Sequence, residues 1–361
     1  MGVYVIAEAG VNHNGSRNMA FQLVDVAIEA GADAIKFQTF TADKLVTKTA
    51  GKTEYQKQTT EADESQYAML QKLELPHKTH RELLAYCQRK GIEFLSTAFD
   101  MASLDFLVRE LGLKKLKIPS GEITNGPFIL CHAQYGHDLI LSTGMATLSE
   151  IEEALSIIAF GMNPCAIESK VPSRKAFQDA YYSPEGQRAL KEKVTLLHCT
   201  TEYPAPDHEM NLHAMETMAN RFGLPIGLSD HSQGVVHAIA AVALGATIIE
   251  KHFTLDRQLP GPDHAASLEP KELQEMITGI RRVTQALGDG DKRPMESELR
   301  NRGRVRKSLV ASRPIKKGEL FSTDNIMAKR PGNGPSPMQF WDLFNTVADR
   351  DYQADEPLTG N

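Results

Sequence analysis

The sequence predicts a (β/α)8 TIM barrel followed by a small β-rich domain. Three observations carry this reading. Eight near-continuously apolar runs recur with helical segments between them, as strands of a parallel sheet covered on both faces do. Each run stops in polar residues, and the C-terminal ends of the strands are where such a barrel keeps its active site. After Leu287 the composition changes to GDGDKRP, a charged stretch, and short β runs broken by Gly and Pro.

The strand runs are VYVIAE (3–8), AIKFQT (34–39), EFLSTA (93–98), KLKIPSGE (115–122), DLILSTG (138–144), VTLLHCT (194–200), PIGLSDH (225–231) and TIIEKHF (247–253). Between them, Met19 to Ala30 and Lys78 to Lys90 carry apolar residues at helical spacing and stop at Gly31 and Gly91. Ser149 to Ala159 opens with a Ser and a Glu three residues later, a capping-box pattern. Val235 to Ala246 is Ala/Val-rich, and Glu269 to Leu287 is the last long helix. A doubly wound open sheet is the competing layout. It usually brings a Gly-rich phosphate loop after its first strand, and no GxGxxG is present. AGKT at 50–53 lacks the upstream Gly of a P-loop, since position 46 is Val.

Two connections are long, 41–77 and 160–193; both are expected to be surface excursions, a lid or an oligomer contact. The domain layout read from this is barrel 1–287, linker 288–304 and small domain 305–361. Composition removes several function classes. The chain has 361 residues, 41% hydrophobic and 24% charged, with a formal charge of -6. No basic run suggests nucleic acid, and no apolar run is long enough for a membrane span. The N-terminus enters a strand with no signal-peptide pattern, and Ile6 excludes the myristoylation motif that Gly2 invites. Cys87, Cys131, Cys165 and Cys199 have no C-x-x-C spacing and are expected as reduced thiols of a cytoplasmic protein.

The strand ends supply the candidate chemistry: Glu8, Lys36 and Gln38, Ser96 and Thr97, Lys117, Ser120 and Glu122, Ser142 and Thr143, then Thr200, Thr201 and Tyr203. The last two strands give Ser229, Asp230 and His231, then Glu250, Lys251 and His252. Strand ends are where polar residues begin in any case, which accounts for about half of these residues. It accounts poorly for Lys36 and Lys117, which lie inside apolar runs between Ile35 and Phe37 and between Leu116 and Ile118. A buried lysine needs an anionic partner. Two such lysines with a ring of hydroxyls suit a small multivalent anion such as a phosphate with a carboxylate. A lone strand-end histidine is usually structural. His231 and His252, at equivalent places on adjacent strands about 4.8 Å apart, are close enough to share a ligand or metal ion.

The segments AEAGVNHNG, IKFQTF, FLSTAFD, KIPSGE, LSTGMAT, LLHCTTEYPAP, GLSDHS, IEKHFTLD and GPDH, in this order, resemble the sialic acid (N-acetylneuraminate) synthase family. KKGE and KRPGNG resemble its C-terminal antifreeze-like (SAF) domain. The resemblance covers nearly the whole chain and is weakest over 160–193. It implies condensation of phosphoenolpyruvate with an N-acylated mannosamine-type sugar. It implies a divalent metal, manganese before magnesium or cobalt, on His231 and His252. It implies phosphoenolpyruvate contacts from Lys36, Thr97, Lys117, Ser120, Ser142 and Ser229, with Thr201 where some relatives carry Asn. Sugar contacts would come from Glu8, Gln38, Glu122, Tyr203 and Asp263. Arg330 would reach the partner's barrel in a domain-swapped homodimer.

These roles make chemical sense. A metal with two imidazole ligands keeps open positions and polarises the sugar aldehyde. C3 of phosphoenolpyruvate attacks, water adds at C2, and phosphate leaves by C–O cleavage. Glu122 is the candidate general acid or base, with a metal-bound water as the other candidate base. Lys36 and Lys117 offset the substrate's charge, and Cys199 is a small buried residue. N-acetylneuraminate synthesis is the first expectation. The alternative is an N,N'-diacetyllegionaminate synthase using 2,4-diacetamido-2,4,6-trideoxymannose. A 3-deoxy-heptulosonate-type synthase is argued against by the C-terminal domain, and a non-catalytic carbohydrate-binding protein by the retained Lys, Glu and His at the strand ends.

Overall fold

The structure is a computed structural model that describes residues 2–60, 64–163 and 171–359. Its strands are β1 (Tyr4–Gly10), β2 (Ala34–Thr39), β3 (Glu93–Ala98), β4 (Lys115–Ile118), β5 (Asp138–Ser142), β6 (Val194–His198), β7 (Ile226–Asp230) and β8 (Ile248–His252). They form a closed parallel barrel in sequence order. β8 returns to β1 with Tyr4 opposite Ile248 and Glu8 opposite His252.

Successive side chains on a strand point to opposite faces, so each strand feeds two environments. One set, including Val5, Ala7, Ile35, Phe37, Phe94, Leu116, Leu139, Leu141, Leu196 and Leu228, packs with the surrounding helices in the main core. The other set faces the barrel axis and stacks in layers. At the bottom, Tyr4 bonds to Glu93, which also holds Lys115 at 2.9 Å. Above that, Ile6, Ala34, Leu95, Ile140, Leu197 and Ile248 form a separate apolar cluster across the barrel. The next inward residues are Glu8, Lys36, Thr97, Lys117, Ser142, Ser229 and Glu250, all buried. An apolar septum therefore underlies a charged layer at the C-terminal end of the strands.

The expected helices are present with shifted ends: the one expected from Met19 starts at Arg17, and the one expected over Val235 to Ala246 spans Val236–Ala243. The N-cap expected at Ser149 lies two residues earlier, at Thr147. That helix spans Leu148–Gly161, with Glu150 completing the capping box. Glu150 accepts from the Thr147 backbone N–H at 2.8 Å, which fixes the reading among overlapping Ser/Thr–Glu patterns. The 41–77 excursion is not purely surface. It contains helices Ala42–Leu45, Glu54–Thr59 and Gln66–Leu73, and buries Met69 and Leu73 against Val11 and Phe40. The 160–193 excursion contributes helices Arg174–Tyr182 and Pro184–Lys193, with Phe177 edge-on to Phe160 at 5.2 Å. Residues 61–63 and 164–170 of these excursions lie outside the described residues, so the expectations for them and for Cys165 are not met with structure. Cys87, Cys131 and Cys199 are free.

The chain divides into two compact units, Met1–Gly288 and Asp289–Asn361. The charged stretch read as linker forms helix Glu296–Val305, none of whose residues is buried. Glu296 and Glu298 in its first turn and Arg302 and Arg304 in its last complement the helix dipole, a stabilisation that an apolar-periodicity argument overlooks. The second unit pairs β9 (Ser308–Ala311) with β10 (Ile326–Lys329) antiparallel over a core of Leu309, Ile315, Phe321, Leu343 and Tyr352. Among the described residues, no helix is long and apolar enough to cross a membrane.

Closure of the septum depends on Gly227. A Cβ there would meet the Ile248 carbonyl oxygen and lie 2.6 Å from Leu197 Cδ2. Gly227→Ala is expected to destabilise the barrel by about 2–3 kcal/mol through overpacking, read as a lowered urea midpoint at unchanged slope.

Candidate active site

The charged layer begins with residues that a strand would ordinarily exclude. Lys36 Nζ lies 2.6 Å from Glu8 Oε2 and 3.6 Å from Glu250 Oε2, and donates to Thr97 Oγ1 at 2.9 Å. Lys117 Nζ donates to Glu250 Oε1 at 2.6 Å, and Ser229 Oγ donates to the same oxygen at 2.8 Å. Glu250 thus bridges both lysines. The anionic partners that buried lysines need are supplied by the chain itself, Glu8 and Glu250. Burial opposes ionisation of Glu250, but Lys117 and Lys36 outweigh it and hold the carboxyl well below its usual range. Burial raises Glu8 from 4.5 to about 7, partly offset by Lys36. Lys117 is lowered by burial, against the pull of Glu250.

Beside this layer is a pocket of hydroxyls around Gly144. Its N–H donates to Ser120 Oγ at 2.9 Å, and Ser120 Oγ lies 3.0 Å from Cys199 Sγ. A Cβ at Gly144 would collide with Thr201 Oγ1 and lie 2.7 Å from Cys199 Sγ, so a side chain would fill the pocket. Ser142 Oγ is buried without a hydrogen-bond partner.

The two histidines stand on the other side. Their ring centroids are 5.6 Å apart. His231 Nδ1 donates to the Thr200 carbonyl at 2.7 Å, leaving Nε2 as the acceptor, 3.2 Å from the Tyr203 hydroxyl. Burial lowers His231 from 6.5 to about 4 and pushes His252 well below its usual value, so both are neutral. His252 Nδ1 is buried without a hydrogen-bond partner, 3.9 Å from Asp263 Oδ2. Gln38 borders His252 across Gly10, whose hypothetical Cβ would be 3.1 Å from the imidazole and 3.4 Å from the Gln38 amide nitrogen. Two neutral imidazoles with available lone pairs, one of them an orphaned buried nitrogen, are suitable donors for a divalent metal. No cluster of three or more His, Cys, Asp or Glu suited to a metal occurs among the described residues.

Of the residues singled out from sequence, Glu8, Lys36, Gln38, Thr97, Lys117, Ser120, Ser142, Thr201, Tyr203, Ser229, His231, His252 and Asp263 gather at this end of the barrel. Glu122 lies on the rim, where its Oε2 accepts from Asn125 Nδ2 at 2.7 Å. Arg330 is exposed in the second unit. Sequence reasoning named Glu250 only as a polar strand end. Its signal was parity: Ile248, Glu250 and His252 share one face, as Lys36 shares a face with Gln38. Lys251 and Asp230 have the opposite parity and pair with each other outside the barrel at 2.9 Å. Lys251 also donates to the Ser232 carbonyl at 2.5 Å, anchoring the chain beyond His231.

Residues 23–292 match the model of the NeuB family and residues 306–361 that of the SAF domain. The chain is 49% identical over 352 residues to the N,N'-diacetyllegionaminic acid synthase of Campylobacter jejuni, with 98% of this chain and 97% of the relative covered. It is 44% identical over 350 residues to the N,N'-diacetyllegionaminic acid synthase of Legionella pneumophila, with 97% and 90% covered. Among solved structures, the N-acetylneuraminic acid (sialic acid) synthetase of Leptospira borgpetersenii in complex with citrate aligns with a TM-score of 0.66 at 34% identity, covering 83% of this chain and 90% of that one.

The charged layer and Asp263 each yield a stability measurement. Glu250→Gln leaves two buried lysines sharing one carboxylate and is expected to cost about 3–5 kcal/mol in urea unfolding. Burial raises Asp263 from 3.8 to about 6, so the folded protein holds this proton more tightly than the unfolded chain. Its stabilising contribution is complete below pH 3.8 and is lost as pH rises through about 6. On metal-free protein, Asp263→Asn is expected to remove that loss, gaining about 2–3 kcal/mol on the wild type between acid and neutral pH.

Proposed function

The chain belongs to the NeuB family, and on that premise we propose that it is an N,N'-diacetyllegionaminate synthase acting on phosphoenolpyruvate and 2,4-diacetamido-2,4,6-trideoxymannose. It is an enzyme of the nonulosonic acid synthase class, which joins phosphoenolpyruvate to an amino sugar. The observation that carries the finer reading is near full-length likeness to two legionaminic acid synthases, at 49% and 44% identity. The order of acceptors expected from sequence is therefore reversed: the diacetamido sugar comes before N-acetylmannosamine.

The geometry supports a division of labour. Lys36 and Lys117 would bind the phosphate and carboxylate of phosphoenolpyruvate, exchanging part of their hold on Glu8 and Glu250 for the incoming anion. Thr97, Ser120, Ser142, Ser229 and Thr201 would add hydroxyl donors around it. Ser142, with no internal partner to give up, is well suited to that role. Glu8, Gln38, Tyr203 and Asp263 would orient the sugar so that its carbonyl carbon faces C3 of phosphoenolpyruvate. Glu122 is the proposed proton-transfer group from the rim. As water adds at C2 and the C–O bond to phosphate breaks, the lysines would remain on the departing dianion. His231 and His252 would hold a divalent metal, manganese first, which when bound supplies Lewis-acid polarisation of the sugar carbonyl. Arg330 is proposed to complete the barrel site of a second copy in a homodimer.

Phosphate release from phosphoenolpyruvate with Mn²⁺, compared between the two acceptors, tests this reading. Release is expected with the diacetamido sugar and to be much slower with N-acetylmannosamine; the opposite order restores N-acetylneuraminate synthesis. His231→Ala and His252→Ala should each lower release by more than about 100-fold and weaken Mn²⁺ retention, read by electron paramagnetic resonance of the free ion. Unchanged product formation in either variant would sink the metal assignment.

A further inference from the structure

The 41–77 excursion reaches the site through one side chain, Tyr55, to which the sequence assigned no site role. Tyr55, on helix Glu54–Thr59, packs its half-buried ring on Tyr203 with centroids 5.1 Å apart. Tyr203 in turn lies 4.1 Å from the His231 ring and 5.7 Å, edge-on, from the His252 ring. The four rings form a column whose outermost member belongs to the excursion. Four residues further along the same helix, Thr59 Oγ1 donates to the Pro262 carbonyl at 3.4 Å, next to Asp263. The short helix thus touches both loops that carry acceptor-side residues, the one after β6 and the one after β8.

The helix is held together by its own contacts. Gln56 Oε1 accepts from the Thr53 N–H at 3.1 Å, and Lys52 Nζ donates to Thr60 Oγ1 at 2.9 Å. The Tyr55 hydroxyl finds its partner on the same helix, accepting from Gln56 Nε2 at 3.4 Å. The face it offers to the site is therefore the aromatic ring. Burial, reinforced by the Asp263 carboxylate across the gap, pushes the Tyr55 phenol up.

We propose that Tyr55 is a positioning residue of the acceptor subsite, acting through its ring on Tyr203 and leaving the anion layer untouched. This rests on the synthase reading above. Its contacts lie on the acceptor side: Tyr203 and, through Thr59, the Asp263 loop. Loss of the ring frees Tyr203 to rotate away from His231, which loosens the sugar's surroundings. Phosphoenolpyruvate, bound by the lysines and hydroxyls, keeps its partners.

The test is steady-state phosphate release by the full-length enzyme with Mn²⁺, varying each substrate in turn, for Tyr55→Ala, Tyr55→Phe and Tyr55→Leu. Tyr55→Phe keeps the stack and should match the unsubstituted enzyme. Tyr55→Ala should raise the acceptor KM about three- to tenfold, the range of an aromatic pair, with the phosphoenolpyruvate KM unchanged. Should Tyr55→Ala fail to fold, Tyr55→Leu, which retains apolar bulk without a ring, should show the same acceptor-selective rise. Equal rises in both KM values, a Phe variant as impaired as Ala or Leu, or variants indistinguishable from the unsubstituted enzyme each overturn the proposal while leaving the synthase reading intact. No release by the unsubstituted enzyme with either acceptor overturns that reading and this proposal with it.

Discussion

The Glu250 carboxylate between Lys36 and Lys117 is the contact on which the rest of the site depends. Charges placed this deep are tolerated only when paired, since desolvation costs on the order of several kcal/mol per ion. The apolar septum of Ile6, Ala34, Leu95, Ile140, Leu197 and Ile248 keeps the layer dry from below. The same dryness strengthens every Coulombic interaction above it. Glu8 serves as a second counter-ion, 2.6 Å from Lys36, so the two carboxyls of the adjacent strands β1 and β8 face the two lysines of β2 and β4. It is preorganised to receive an anion because its lysines are already fixed, and their charges need not be assembled at the moment of binding.

A second buried pair performs a different task one residue away. Asp230 and Lys251 face out of the barrel, flanked by His231 and His252, which face in. Asp230 Oδ1 accepts from both the backbone N–H and the hydroxyl of Ser232, at 2.8 and 2.6 Å. Lys251 meets the Ser232 carbonyl. The backbone that carries His231 is therefore held from behind, and the pairing of Asp230 with Lys251 sets the two histidines at the ends of adjacent strands. The Ala205 N–H to His231 carbonyl bond, 2.9 Å, brings the Tyr203 loop into the same frame.

The barrel was legible because its signal is local: apolar runs, glycine stops and polar strand ends recur within each unit. Lys36 and Lys117 stood out because an ammonium inside an apolar run has no local explanation. What sequence did not convey was pairing across the barrel. Lys117 and Glu250 are far apart in the chain, and only closure brings β4 to face β8. The helix at 296–305 escaped because charge complementarity at its ends, not an apolar stripe, accounts for it. The site role of Tyr55 escaped for a related reason: a tyrosine in a polar excursion has no periodicity to mark it, and its meaning comes from a ring on another loop.

These differences in legibility follow the division of the site itself. The anion layer is built on strands, whose register and parity fix each side chain, so its residues can be read from alternation once a barrel is assumed. The proposed acceptor side is built on the excursion from β2 and the loops after β6 and β8, which contribute Tyr55, Tyr203 and Asp263. Loops can change length and composition without disturbing the sheet beneath. A fold arranged in this way can keep one anion chemistry while altering the sugar it accepts. On the proposed roles, the choice of acceptor would be sought where three loops meet, at the tyrosine pair and the buried Asp263, rather than among the lysines.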